Sequence, residues 1–111
     1  MQLLAEQRDE CLIVRAVDSR IDAAVAIQFK EQMRDLVRAA PPRVMLDLSG
    51  VTFLDSSGLG AVVAVMKLLG PDRRLELSGL TPTVEKVFRL TRMDTIFTIH
   101  RSVPGDLRDA V

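Results

Sequence analysis

The sequence changes from a strand pattern to a helix pattern at one short polar segment. Residues 55–60, called the motif, read Asp-Ser-Ser-Gly-Leu-Gly. Before the motif, residues 43–48 form an aliphatic and β-branched run that follows two prolines and precedes Ser-Gly, which predicts a buried strand. From residue 59 to residue 69, apolar side chains recur every three or four positions and Gly-Pro ends the run, which predicts a helix. The motif is therefore predicted to be a strand-to-helix turn.

The polar residues of the motif have two interpretations. Aspartate and serine cap helices, because their oxygens accept hydrogen bonds from backbone N–H groups that lack a partner in the first turn. Asp55, Ser56 and Ser57 supply three such oxygens, more than one cap requires. A hydroxyl at this end of a helix also lies near the positive end of the helix dipole, and Gly58 and Gly60 would let another molecule approach closely. Capping is the simpler interpretation, and binding or modification of a serine is the functional one.

The chain before the motif predicts a hairpin and a helix. Residues 7–17 alternate like a strand, and residues 20–21 follow a turn at Asp18-Ser19 as a second, short strand. Asp22 then stands where a helix should begin, and two prolines end that helix after residue 40. Its apolar face consists of Val25, Phe29, Met33, Leu36, Val37 and Ala40.

The chain after the motif continues the alternation. Residues 75–77 predict a strand, Thr81 and Pro82 have the pattern of an N-cap and a first helical residue, and residues 96–99 predict a last strand. Residues 103–111 are either a final short helix or a loose tail. This order indicates an α/β domain with a mostly parallel sheet and an antiparallel hairpin at its start.

Composition excludes several functional classes. A length of 111 residues predicts one domain, and 15 basic residues balance 15 acidic ones. Without a basic run, and with four Phe but no Tyr or Trp, nucleic-acid binding is not expected. No run reaches the roughly 18 apolar residues that span a bilayer, and the N-terminus lacks a signal-peptide pattern, so we expect a cytoplasmic protein without membrane insertion. Cys11 is the only cysteine, which excludes an internal disulfide and predicts a small, buried or half-buried strand residue.

Catalysis is not predicted. The sole histidine, His100, follows the last predicted strand, and we interpret it as a surface residue with no reason to lie against Ser57. No metal-ligand spacing and no phosphate-binding loop of the GxxxxGK type occurs, so no metal or cofactor is expected. An anion site at the motif is a weaker alternative, because Asp55 would repel the anion and the motif contains no lysine or arginine.

The motif, Asp55 to Gly60, resembles the signature of the STAS domain (sulphate transporter and anti-sigma factor antagonist), above all its stand-alone bacterial anti-sigma factor antagonists. The resemblance extends over almost the whole chain, including residues 20–23 and the closing pattern of residues 87–97. It implies a single STAS-like domain over residues 1–111, with a mixed, mostly parallel sheet of four to five strands and three to four helices. One difference is that Ser19-Arg20 occupies a turn where the family usually has glycine.

The resemblance also implies a function as an anti-sigma factor antagonist. The unphosphorylated protein would bind an anti-sigma factor that is also a serine kinase with a histidine-kinase-like ATP-binding fold, and so free a sigma factor or another target. Phosphorylation of Ser57 would end binding, and a metal-dependent serine phosphatase would reverse it. The implied partner-binding residues are Asp22, Asp55, Ser56, Ser57, Gly58, Leu59, Gly60 and Val62, although Asp22 could instead cap the first helix and Leu59 and Val62 could be core residues. The alternative function is a non-phosphorylated STAS subunit that docks on the ATPase of a lipid-transporting ABC system.

Overall fold

The computed structural model describes residues 1–104 of the chain, in which an opening hairpin is followed by alternating strands and helices. The strands are β1 (Leu3–Arg8), β2 (Cys11–Ala16), β3 (Arg20–Ile21), β4 (Arg43–Asp47), β5 (Phe53–Leu54), β6 (Arg74–Ser78) and β7 (Thr98–His100). The α-helices are α1 (Ala26–Val37), α2 (Ser56–Leu69) and α3 (Pro82–Leu90), and Met93–Thr95 forms a 3₁₀ turn. None of these helices combines the length and the hydropathy that crossing a membrane requires.

The main sheet has five strands in the order β1-β2-β4-β6-β7. β1 is antiparallel to β2, and the other three pairings are parallel. Helices connect the parallel strands, as parallel pairing requires. The sheet is therefore mixed but mostly parallel, in agreement with the prediction. A main sheet of five strands and three α-helices, within residues 1–104, also match the predicted fold class.

One face of the sheet carries the hydrophobic core. Alternate strand residues such as Val14, Leu46 and Leu77 are fully buried and belong to one cluster with the buried faces of all three helices. In α1 the buried residues are Ala26, Phe29, Met33 and Val37. Val25, Leu36 and Ala40 are partly buried against the same core, so the predicted apolar face is confirmed. The helices therefore lie on a single side of the sheet.

The opposite face of the sheet carries a charged cluster around Glu76. Leu75 and Leu77 point into the core, so Glu76 between them points away from the helices. Its buried carboxylate binds Arg43 at 2.6 and 3.2 Å and Arg74 at 3.0 Å, and its Oε1 lies 2.6 Å from His100 Nε2. The interpretation of His100 as a simple surface residue is therefore wrong, because the parallel register of β6 and β7 brings it to this carboxylate. Cys11 is buried on the same face beside Met45, as predicted, and burial raises the pKa of its thiol.

The antiparallel hairpin predicted at the start of the chain is present, but different strands form it. Instead of one strand over residues 7–17, two strands pair around a turn at Asp9, whose φ of 52° lies in the left-handed region. β1 forms the edge of the sheet and its residues 4–7 are exposed, so it has no alternating pattern that the sequence could reveal. The short strand β3 does not return along β2 but pairs in parallel with β5 in a separate two-stranded sheet.

Two element boundaries also differ from the prediction. α1 begins at Ala26 with Val25 as its N-cap, not at Asp22. The last strand is shifted to Thr98–His100, because the 3₁₀ turn and Ile96 precede it. Thr81 and Pro82 begin α3 as predicted, but the Thr81 hydroxyl donates to the carbonyl of Val51 at 2.7 Å instead of capping the helix. Most of the predicted C-terminal helix or tail, residues 105–111, lies outside the described residues.

Candidate functional site

The motif forms the predicted strand-to-helix turn. β5 ends at Leu54, Asp55 adopts an extended conformation, and α2 begins at Ser56. Asp55 is the N-cap, since its Oδ1 accepts a hydrogen bond from the backbone N–H of Gly58 at 2.8 Å. A single carboxylate oxygen therefore caps this helix, and neither serine hydroxyl is needed for it.

Asp55 also ties the motif to the first loop, residues 22–25. Its second oxygen, Oδ2, accepts a hydrogen bond from the backbone N–H of Ala23 at 3.1 Å. The N–H of Gly58, followed by those of Ala23 and Ser57, outweighs desolvation and holds the pKa of the Asp55 carboxyl below its usual value. Both oxygens of an ionised carboxylate are thus engaged with the backbone, and the side chain fixes the position of two segments that lie 32 residues apart in sequence.

Gly58 allows two segments of the chain to pack closely against each other. It is buried, and a Cβ atom at this position would lie 2.0 Å from the carbonyl oxygen of Ile21 in β3. The expectation that Gly58 lets another molecule approach is therefore wrong, because β3 already occupies that space. Gly60 is exposed and a Cβ there would meet nothing within 4 Å, so this glycine does leave open space beside the helix.

The two serines and the two apolar residues of the site differ in exposure. Ser56 and Ser57 are both exposed in the first turn of α2. Leu59 is half-buried and packs against the core, so part of it remains at the surface. Val62 is fully buried, which agrees with the alternative that it is a core residue. The helix rotates by about 100° per residue, which carries Val62 to the core side.

Asp22 organises the first loop. Its Oδ1 accepts from the backbone N–H of Ala24 at 3.1 Å, and its backbone carbonyl accepts from Val25 and Ala26 at 3.1 and 2.9 Å. Asp22 therefore caps the turn that leads into α1, four residues before the helix begins, and it stays half-buried. Through the Ala23–Asp55 hydrogen bond, the loop that contains Asp22 lies against the motif.

The sequence matches a known family. The model of the STAS domain matches residues 2–105. The chain belongs to the STAS domain family. It is 30% identical over 103 residues to an anti-sigma-B factor antagonist of Listeria monocytogenes, and the match covers 92% of this chain and 90% of that protein.

Solved structures agree with this assignment. An anti-sigma factor antagonist from Mycobacterium paratuberculosis superposes with a TM-score of 0.85 at 26% identity, over 96% of this STAS domain and 90% of that chain. The phosphorylated form of the Bacillus cell fate determinant SpoIIAA superposes with a TM-score of 0.65 at 22% identity, over 88% and 90% of the two chains, which is a likeness of fold alone.

Sequence reasoning missed one part of the site of this STAS domain. The guanidinium carbon of Arg20 lies 4.1 Å from the ring centroid of Phe53, and both side chains are exposed. The pair forms because Arg20 and Phe53 are register partners in the β3–β5 sheet. The sequence does contain a signal, since Arg20 belongs to the turn that departs from the usual family pattern, but the partner strand of β3 was not predictable from it.

Proposed function

We propose that this STAS domain is a cytoplasmic anti-sigma factor antagonist that works by partner switching. The unphosphorylated form binds an anti-sigma factor that is also a serine kinase, and phosphorylation of Ser57 ends the complex. The observation that carries the proposal is the exposed serine pair at the start of α2, on a turn that Asp55 and Gly58 hold in place without help from either hydroxyl. The names of the relatives support the antagonist role, and the family motif favours the second serine.

The partner must supply the catalytic groups. In the proposed reaction, Ser57 Oγ attacks the γ-phosphorus of ATP, the bond to the bridging oxygen breaks and ADP leaves. The hydroxyl proton passes to a base of the partner, because Asp55 is engaged with two backbone N–H groups and His100 contacts Glu76 on the opposite face of the sheet. A metal-dependent serine phosphatase restores the hydroxyl by hydrolysis and releases inorganic phosphate.

The charge of the phosphate explains how binding would end. Phosphorylation adds roughly −1.5 to −2 charge at neutral pH. At Ser57 this charge lies two residues from the Asp55 carboxylate, whose pKa is already lowered, and beside the partly exposed apolar surface of Leu59. The N-terminus of α2 stabilises the phosphate in the free protein, but a partner surface that packs on Leu59 would have to desolvate it. A loss of about 3 kcal/mol at the interface would reduce affinity roughly a hundredfold.

Site-directed variants test the proposal. The protein is isolated from its native host with its copurifying ATP-binding protein, and phosphorylation sites are mapped by mass spectrometry. We expect phosphate on Ser57, constitutive binding by Ser57→Ala, and weak binding by Ser57→Asp. Ser56→Ala is the matched control, because Ser56 is adjacent and also exposed, and it should keep both phosphorylation and switching.

Two results would contradict this mechanism. Equal binding of Ser57→Ala and Ser57→Asp to the purified kinase would remove Ser57 from the switch. A chain that is always unmodified and copurifies with the ATPase of an ABC transporter would instead support a docking subunit.

A further inference from the structure

Arg20 is an exposed arginine that is held in one orientation beside the motif. Its guanidinium stacks on Phe53 with 4.1 Å between the Cζ atom and the ring centroid. Its Nε donates to Asp22 Oδ2 at 3.2 Å, yet 58% of its side-chain surface remains accessible. Its Nη groups form no further hydrogen bond or ion pair within residues 1–104. A guanidinium fixed by a ring on one side and a carboxylate at Nε presents its remaining N–H donors to solvent.

The backbone under Arg20 is fixed to the motif as well. The carbonyl of Ser19 accepts from the N–H groups of Thr52 and Phe53 at 2.8 and 3.2 Å. The carbonyl of the next residue, Ile21, packs against Gly58 so closely that a side chain at position 58 would not fit. The strand that carries Arg20 is thus tied by backbone contacts to the strand before the serine pair and to the glycine after it.

Charge indicates what this arginine would bind. An arginine whose orientation is already set loses little side-chain entropy on binding, and its free edge fits the two oxygens of a carboxylate. Arginine and aromatic residues are also the side chains that most often dominate binding energy at interfaces. A phosphate could use the same donors, but Asp22 at 3.2 Å and the ionised Asp55 nearby disfavour a dianion more than a monoanion.

We propose that Arg20 is a specificity-determining residue of the partner-binding surface and that it selects a kinase that presents a carboxylate beside the phosphorylation site. This inference rests on the proposed function, since it assumes that the same surface binds a kinase. Phe53 is the positioning residue, because it supplies the ring that holds the guanidinium flat. The pair would let this STAS domain discriminate among related kinases by the charge that they present next to the serine.

The test measures affinity for the purified kinase without nucleotide, by isothermal titration calorimetry. Arg20→Gln should weaken binding about tenfold or more, and Arg20→Glu should weaken it further by repulsion. The affinity of Arg20→Lys should fall between those of Arg20→Gln and the unmodified protein, because lysine keeps the charge but cannot form a bidentate hydrogen bond. Phe53→Leu should cause a smaller loss than Arg20→Gln. Arg34→Gln, on the exposed face of α1, removes the same charge and should leave affinity unchanged.

A second readout separates recognition from folding and from chemistry. Arg20→Gln should raise KM for phosphorylation of Ser57 by a similar factor while kcat stays the same, and its thermal unfolding should remain within a few degrees of the unmodified protein. Higher salt should shrink the difference between Arg20→Gln and the unmodified protein.

Three outcomes would overturn the inference. Equal affinity of all Arg20 variants would show that the arginine is not part of the interface while leaving partner switching intact. An effect seen only with ATP present would assign Arg20 to the nucleotide phosphates instead of a carboxylate. A protein that binds no kinase at all, in any variant, would overturn the proposed function and this inference with it.

Discussion

The contacts of the Glu76 carboxylate should stabilise the folded protein at neutral pH, and this stabilisation should be lost in acid. Burial alone would raise the pKa of the Glu76 carboxyl, but the hydrogen bonds from Arg43, His100 and Arg74 outweigh burial and lower it from 4.5 to about 2. Only 5% of the Glu76 side chain is accessible, so solvent screens these contacts little. At about 1.4 kcal/mol per pH unit, the shift corresponds to about 3 kcal/mol of folding free energy. This is a substantial part of the roughly 5–15 kcal/mol that stabilises a domain of this size.

The sign of the pH dependence follows from the lowered pKa. Unfolding returns the carboxyl to its ordinary pKa, so the contribution is complete above pH 4.5 and is lost as the pH falls toward 2. Glu76→Gln removes the titration and the charged hydrogen bonds that the carboxylate accepts from Arg43 and Arg74, so it should destabilise the protein by about 3 kcal/mol or more at pH 7. The difference in unfolding free energy between Glu76→Gln and the unmodified protein should therefore shrink as the pH falls from 5 to 2.

Urea denaturation followed by circular dichroism at pH 7, 5, 4, 3 and 2 measures this difference. Glu85→Gln is the matched control, because Glu85 also faces an arginine, Arg89 at 3.6 Å, but both side chains are 60% exposed. That exposed pair should contribute well below about 1 kcal/mol at every pH. A difference for Glu76→Gln that stays constant from pH 7 to pH 2 would refute the reasoning, since it would show that the carboxylate has no lowered pKa in the folded protein.

Two further predictions concern the motif. Gly58→Ala should destabilise the protein by about 2 kcal/mol or more, because the new Cβ would lie 2.0 Å from the Ile21 carbonyl, whereas Gly60→Ala faces open space and should stabilise α2 by up to about 1 kcal/mol. Urea denaturation of both variants checks this contrast, and equal effects would contradict it. Asp55→Ala should lower the melting temperature and increase hydrogen exchange at the N–H groups of both Gly58 and Ala23, while Asp55→Asn should do so less. Protection of Ala23 that is unchanged in Asp55→Ala would mean that the motif does not hold the first loop.

The predictable parts of this fold are those whose signal is local. The change from strand to helix at Asp55 was predictable from consecutive residues. The cap, the glycines and the apolar spacing of α2 all lie within one or two helical turns of each other. The apolar face of α1 was predictable for the same reason. The start of α1 was not, because Asp22 caps a preceding turn with the same chemistry that would cap a helix.

The parts that the sequence hides depend on contacts between distant segments. β1 lies at a sheet edge with exposed residues on both faces, so its composition carries no strand periodicity. The pairing of β3 with β5 joins residues 33 positions apart, and from it follow both the Arg20–Phe53 stack and the need for glycine at position 58. His100 was misjudged because only the parallel register of β6 and β7 reveals the buried carboxylate that it contacts.

The connections around Asp55 bear on how a switch at Ser57 would work. The motif is held to the first loop by the Ala23–Asp55 hydrogen bond and to β3 by the contact of Gly58 with Ile21, and neither connection involves the serine hydroxyls. A phosphate on Ser57 would therefore leave these contacts in place. In the proposed mechanism, phosphorylation changes the charge of a surface whose backbone contacts stay in place, and the partner is released because that surface no longer matches it.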